Sequence, residues 1–335
     1  MRVYRSGILC LPTVVGLRQT ADDAGEYLPV ARILVVLHEW TFLLGAARPE
    51  TLPAGRRRGR FRSMPGSRNP QETAEQRIAR HLRAAGCVFA EEEARLLMAE
   101  ASTPAALEDM VELRMTGQPL EQILGWAAFH GLRLVVEPGV FIPRRRTEFL
   151  ASRTIALVRD LARADTQTGA PVVLELCCGV GAVSAAVAAQ TGPLELYAAD
   201  IQPAAVRCAR RNLGQRATVF EGDLYEPLPA GLRGRVDIIT ANAPYVPTGR
   251  LATMPSEARL YEPEGTRDGG AEGLDLLTRL AVSAPQWLRP GGSLLLECSE
   301  PQAPALSSVL RSCGLVPETV RRESTDSTVI IGTMA

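Results

Sequence analysis

Four consecutive residues, Asn242-Ala243-Pro244-Tyr245, combine a side-chain amide, a proline-stiffened backbone and an aromatic ring. They follow a short apolar run, Val236–Ala241, with the length and β-branched content of a buried strand. Ligands of open α/β sheets bind at the carboxyl ends of the strands, so this corner is placed for chemistry. Taken alone, the tetrapeptide reads as a strand-to-loop turn, because Asn and Pro are common turn residues.

Two further stretches change its meaning. Glu175-Leu176-Cys177-Cys178-Gly179-Val180-Gly181 joins a strand-like run to an Ala-rich helix, with glycines where a backbone must approach a ligand. Asp200 closes the next strand, 21 residues after Gly179. An acid there is placed to accept from the two hydroxyls of a ribose; the competing reading is a helix cap before Gln202-Pro203. Asp223-Leu224, after a third strand, supplies a contact loop, with Asp223 for an adenine amino group and Leu224 for its ring. As a lone Asp, Asp223 reads more readily as a cap or turn residue. Ser184 stands where the dinucleotide fingerprint has its third glycine. A nucleoside without a pyrophosphate therefore fits better than NAD, and S-adenosylmethionine is such a ligand.

The elements that must hold these residues read as follows. Apolar residues at helical spacing predict three helices: one from about residue 71 with Ile78, Leu82 and Ala85, one with Ala94, Leu97, Met98 and Ala101, and one opened by Ser102-Thr103-Pro104 with Leu107, Met110, Val111 and Met115. A further turn at 120–125 precedes a hairpin, 126–129 and 132–137, closed by His130-Gly131. Beyond Arg144 helices and strands alternate: helix 147–164, strand 172–176, helix 182–190, strand 194–199, helix 203–213, strands 217–221 and 236–241, helix 273–288, strand 293–298 and a closing strand at 328–332. Such alternation predicts an α/β fold with a mostly parallel sheet and helices on both faces.

Residues 1–63 differ from the rest. Their apolar piece, 31–47, is shorter than a membrane span needs, and the arginine run at 56–62 reads as a solvated tail rather than a nucleic-acid arm. The abrupt change of pattern after Met64 gives the expectation that Met64 is the start and 1–63 an extension, either disordered or not native. The formal net charge of zero gives no general pull toward nucleic acid or membrane. The cysteines show no paired metal spacing and the three histidines are scattered, so neither a metal site nor a histidine triad is expected.

From about Gln76 onward the chain resembles the HemK/PrmC family of class I, Rossmann-like, S-adenosylmethionine-dependent protein-glutamine methyltransferases. Gly117-Gln118-Pro119-Leu120, Ile123-Leu124-Gly125 and Phe129-His130-Gly131 resemble the family's interdomain stretch, and Phe141-Ile142-Pro143-Arg144 with Thr147-Glu148 its Ile-Pro-Arg-Pro-x-Thr-Glu segment. Glu175 to Gly181 resembles its cofactor loop and Asn242 to Tyr245 its Asn-Pro-Pro-Tyr. Glu262-Pro263, Asp268-Gly269-Gly270, Gly273-Leu274-Asp275, Leu288-Arg289-Pro290-Gly291-Gly292 and Leu294-Leu295-Leu296-Glu297 follow in order.

The resemblance implies a small helical substrate-recognition domain (64–125), a hairpin linker (126–143) and a methyltransferase domain (144–335). It implies methylation of the glutamine in the Gly-Gly-Gln loop of peptide chain release factors, by a cytoplasmic monomer with a protein partner and no stable nucleic-acid or membrane partner. By position, Glu175 and Cys177 to Gly181 cradle the cofactor, Asp200 holds its ribose, and Asp223-Leu224 flank its adenine. Asn242 faces both cofactor and substrate, with Ala243, Pro244 and Tyr245 completing the catalytic corner. An amide nitrogen is a poor nucleophile, so the task is to present it in line with the methyl donor. The Asn242 oxygen and the Ala243 carbonyl are acceptors for its two hydrogens and favour the charge that develops on it. Ala243, Cys177 and Arg145 depart from the family's usual Pro, Gly and Pro and mark a divergent branch. Two alternatives stay open: an amino methyltransferase acting on a nucleic-acid base, and an inactive homologue that keeps cofactor affinity.

Overall fold

The computed structural model describes residues 72–164 and 169–335. The expectations for residues 1–63, including the arginine run and a start at Met64, lie outside the described residues.

Four helices come first. Helix α1 (Ala74–Ala84) opens on a reciprocal cap: Thr73 Oγ1 accepts from Gln76 N, and Gln76 Oε1 accepts from Thr73 N. Helices α2 (Ala90–Glu100), α3 (Pro104–Met115) and α4 (Leu120–Leu124) follow, α3 capped by Thr103 as its sequence suggests. Ile78, Leu82, Ala94, Leu97, Val111 and Leu120 bury one apolar cluster, closed by Trp126.

The stripes differ in register from expectation. Ala85 is the exposed cap of α1, and Ala79 is buried in its place. Met98 and Met115 face solvent while Leu96 is buried. The reason is an ion pair: α2 turns Glu93 inward to meet the buried Arg114 of α3, and that rotation carries Met98 and Met115 outward.

Strands β1 (Trp126–Phe129) and β2 (Leu132–Val135) form an antiparallel hairpin whose turn, His130-Gly131, has positive φ at both residues. The His130 ring bonds Ser152 Oγ and Gln190 Nε2, fastening the hairpin to α5 (Thr147–Ala164) and α6 (Ala182–Gln190).

The remaining chain alternates as expected. It adds β3 (Val172–Leu176), β4 (Glu195–Asp200), α7 (Pro203–Leu213), β5 (Thr218–Glu221), β6 (Val236–Ala241), α8 (Ser256–Tyr261), α9 (Asp275–Ser283), β7 (Leu288–Cys298), α10 (Ala303–Ser312), β8 (Leu315–Arg322) and β9 (Ser327–Met334). Among the described residues these strands build a seven-stranded sheet in the order β5-β4-β3-β6-β7-β9-β8. The first five are parallel, and β9 and β8 run antiparallel to their neighbours. Side chains of α5, α6 and α7 cover one face, and those of α9 and α10 the other.

Register sets the site. Leu176 lies opposite both Ala199 and Ala241, so Cys177, Asp200 and Asn242 leave the sheet side by side at one edge. The strand order reverses there, and the switch point of such a sheet opens a crevice.

Several boundaries depart from the reading. The helix expected over 273–288 is α9 alone, because Gly273 turns at φ 71° and a 3₁₀ turn occupies Ala284–Gln286. Strand β7 begins at Leu288, pairing with Val236 before an irregularity at Pro290-Gly291-Gly292. Elements α8, α10 and β8 were not anticipated. Among the described residues no helix is long and apolar enough to cross a membrane.

Candidate active site

A cavity of about 330 Å³ opens at this edge. Cys177, Gly179, Asp200, Asp223, Leu224, Asn242, Ala243, Pro244 and Tyr245 all line it. Four other anticipated residues lie beneath it rather than on its wall. Cys178 and Val180 are packed in the core. Gly181 faces Leu213, whose Cδ1 is 3.0 Å from where a Cβ would stand. The Glu175 carboxylate accepts from Ser184 N at 2.7 Å, at the amino end of α6. Burial raises its pKa to about 7, and the bonds from the helix end offset part of that rise.

On one wall, the Asp200 carboxylate is held by backbone N–H groups at both oxygens. Its Oδ1 accepts from Gln202 N and its Oδ2 from Gly179 N, each at 2.8 Å. A carboxylate has about four acceptor positions, so Asp200 keeps acceptor capacity toward the cavity it lines. Burial raises the Asp200 pKa against the pull of these N–H groups. Cys177 holds φ 53°, a left-handed backbone that costs a side-chain-bearing residue about 1–2 kcal/mol. Burial also pushes its thiol well above the usual range. Asp223 Oδ2 is paired at 2.6 Å with Arg279, which also lines the cavity, and Leu224, at φ 49°, is buried.

On the opposite wall, Asn242 Nδ2 donates to Thr147 Oγ1 at 3.0 Å, leaving Oδ1 as the amide's acceptor face. Tyr245 Oη donates to Glu297 Oε1 at 3.0 Å, and the Arg146 guanidinium sits 5.8 Å from the Tyr245 ring centre. Glu297 is buried, and burial raises its pKa while Arg146, Thr147 and Tyr245 oppose the rise. Behind the corner, Gln302 Nε2 donates to Tyr245 O at 2.9 Å. The glycines of Asp268-Gly269-Gly270 and Gly273 now have a reason. A Cβ on Gly269 would meet Pro244 O at 2.8 Å, and one on Gly273 would meet Tyr245 O at 2.2 Å.

The rim joins distant segments. The Arg144 guanidinium pairs with the buried Glu262 and lies 5.0 Å from the Phe141 ring centre. Met254, Thr266 and Arg267 also line the cavity. The segment carrying Met254 is tied to the helical bundle: Arg114 bonds Glu257 Oε1 at 2.7 Å as well as Glu93 Oε2 at 2.6 Å. Tyr261 Oη donates to Thr116 O, and Gln122 Nε2 to Tyr261 O. Sequence reasoning missed Arg114, Glu93 and Glu257, which carry no local motif. The partnership of Thr147 and Glu297 with the corner was missed too, although both stood inside quoted motifs.

A protein-family profile described as "Methyltransferase domain" matches residues 173–265. A release factor glutamine methyltransferase of Geobacter sulfurreducens is 37% identical over 213 residues, 63% of this chain and 71% of that one. Its counterpart in Bordetella pertussis is 34% identical over 227 residues, 67% of this chain and 80% of that one. A 4-amino-L-phenylalanine/4-methylamino-L-phenylalanine methyltransferase of Streptomyces pristinaespiralis is 35% identical over 205 residues, 61% of this chain and 69% of that one.

Proposed function

The chain belongs to the release factor glutamine methyltransferase (HemK/PrmC) family, and on that premise we propose that it methylates the side-chain amide of the Gly-Gly-Gln glutamine in peptide chain release factors. The observation that carries this reading is that Asn242 to Tyr245 share one cavity with Cys177, Gly179 and Asp200. An acceptor corner for a planar amide thus stands beside a nucleoside-binding wall.

Bound S-adenosylmethionine supplies an electrophilic methyl group. The chain's own residues do the positioning. Asp200 and the Cys177–Gly179 backbone hold the nucleoside end, and Leu224 packs its ring. Asn242 Oδ1 and the Ala243 carbonyl take the two amide hydrogens and aim the nitrogen; Tyr245 packs on the amide plane. Accepting those hydrogens also stabilises the charge that develops on nitrogen, more strongly in a dry pocket than in water. Replacing the usual proline by Ala243 keeps the backbone carbonyl. On this reading the working unit is a monomer in the cytoplasm, and its partner is a protein.

The test is transfer of labelled methyl groups to purified release factor, with DNA, rRNA and 4-amino-L-phenylalanine as competing acceptors. Label confined to the release factor supports the proposal. Label on a nucleic acid or the arylamine, or cofactor binding with no transfer, replaces it by one of the other readings.

A further inference from the structure

Gly179 and Gly181 flank Val180 at φ 54° and 76°. Glycine tolerates several backbone conformations, so local sterics leave the peptide after Val180 free to turn. A partner outside the loop must choose its direction. We propose that Asn212, which does not line the cavity, is a positioning residue for the cofactor loop, and that the same amide grips the linker hairpin, coupling hairpin and cofactor. The inference rests on the reading of Cys177 to Gly179 as the cofactor's cradle and names what holds that cradle.

The partners of Asn212 settle which way its amide points. Oδ1 accepts from Val135 N at 2.7 Å, and Nδ2 donates to Val135 O at 3.1 Å and to Val180 O at 2.9 Å. An amide nitrogen carries two hydrogens, and both are used here; turned round, the oxygen would face two carbonyl oxygens. Strand β2 pairs only with β1, so its other edge is open. Asn212 lies along that edge as a further strand would, bonding both the N–H and the C=O of Val135. Its second hydrogen reaches the cofactor loop.

The loop is held at successive residues. Gly179 N donates to Asp200 Oδ2 at 2.8 Å, Val180 O accepts from Asn212, and Gly181 packs on Leu213, the next residue of α7. A separate tie joins α7 to the hairpin segment alone: Arg207 and Arg211 each meet Glu137 at 3.3 Å, and none of these three lines the cavity. Holding the hairpin and holding the loop can therefore be told apart by substitution.

The test compares backbone hydrogen exchange and calorimetric titration with S-adenosylmethionine in the full chain and its Asn212→Asp, Asn212→Ala and Glu137→Ala variants. The aspartate variant keeps the acceptor for Val135 N but cannot donate, and the alanine variant removes every bond of the amide. In both Asn212 variants exchange is expected to quicken over 132–136 and over 177–181, and S-adenosylmethionine affinity to fall about 10-fold. Glu137→Ala is expected to quicken exchange over 132–136 alone, with affinity within about twofold. Saturating S-adenosylmethionine is expected to slow exchange over 132–136 in the unaltered chain and not in the Asn212 variants, because coupling between two sites is reciprocal. Affinity within about twofold of the unaltered chain's in the Asn212 variants overturns the inference, as does exchange over 177–181 no faster than in Glu137→Ala. Faster exchange throughout the chain, or failure of both Asn212 variants to fold, also overturns it, because Asn212 is then a general prop. Should Asn212→Asp alone fail to fold, the alanine variant decides. If S-adenosylmethionine leaves exchange over 177–181 unchanged in the unaltered chain, the cradle reading fails instead, while the cofactor-free comparison still reads the link from Asn212 to the loop.

Discussion

A Cβ placed on Gly273 would stand 2.2 Å from the carbonyl oxygen of Tyr245. The loop before α9 thus presses on the back of the Asn242 to Tyr245 corner with no side chain between, and Gly273 also turns there at φ 71°. Gly273→Ala is expected to push Tyr245 forward and to destabilise the fold by about 1–3 kcal/mol through overpacking. Methyl transfer should fall further than cofactor affinity. Parallel thermal melts, cofactor titration and turnover check this, and unchanged turnover would contradict it.

The buried Glu175 makes a pH prediction. Its folded pKa is raised to about 7 from the usual carboxylate value of 4.5, so the folded state binds its proton more tightly than the unfolded one. The contribution of this group is therefore greatest below about pH 4.5 and declines as pH rises toward 7, by about 3 kcal/mol in all. Glu175→Gln mimics the protonated form and should flatten that decline. Urea unfolding at intervals between pH 5 and 8 would show it; equal slopes for both proteins would refute it.

Asp200 is expected to serve cofactor and loop together. Asp200→Ala removes the acceptor of Gly179 N and of the ribose hydroxyls. Affinity for S-adenosylmethionine should fall about 10- to 100-fold, the worth of one or two bonds to a charged group. Calorimetric titration measures this, and a change below threefold would return Asp200 to a helix cap alone.

Much of this arrangement was legible in the sequence because buried parallel strands announce themselves. Val172–Leu176 and Val236–Ala241 are short apolar runs bounded by polar or glycine-rich turns, and both appear with the expected limits. Helices α5, α6 and α7 were equally plain. Strand β8 escaped because it lies at the sheet edge with Val316, Glu318 and Thr319 turned to solvent, leaving no apolar alternation to detect. Of the site, the wall residues at strand ends were readable, since a strand end fixes where a residue must be. What lay beneath the wall was not: Glu175 and Gly181 share a motif with Cys177 yet support the loop from below. Thr147 and Glu297 reach the corner only through contacts between segments 95 and 52 residues apart in the chain.

Arg114 shows the same limit and yields a stability prediction. It is buried between Glu93 and Glu257 and joins two helices of the bundle to the rim of the cavity. Arg114→Met leaves Glu93 buried without its partner and is expected to cost about 3–5 kcal/mol. Glu257→Gln breaks only the outer link, so it should lower stability little while raising the KM for the protein acceptor. Equal KM values for the Glu257 variant and the unaltered chain would remove the link's role in substrate recognition.

The most direct measurement is tandem mass spectrometry of the Gly-Gly-Gln peptide from release factor co-expressed with this protein or with its Asn242→Ala variant. The expected result is a single methyl group on the glutamine side chain with the unaltered protein and an unmodified glutamine with the variant, which should still fold and bind cofactor. An unmodified glutamine with both, or equal methylation with both, would contradict the account.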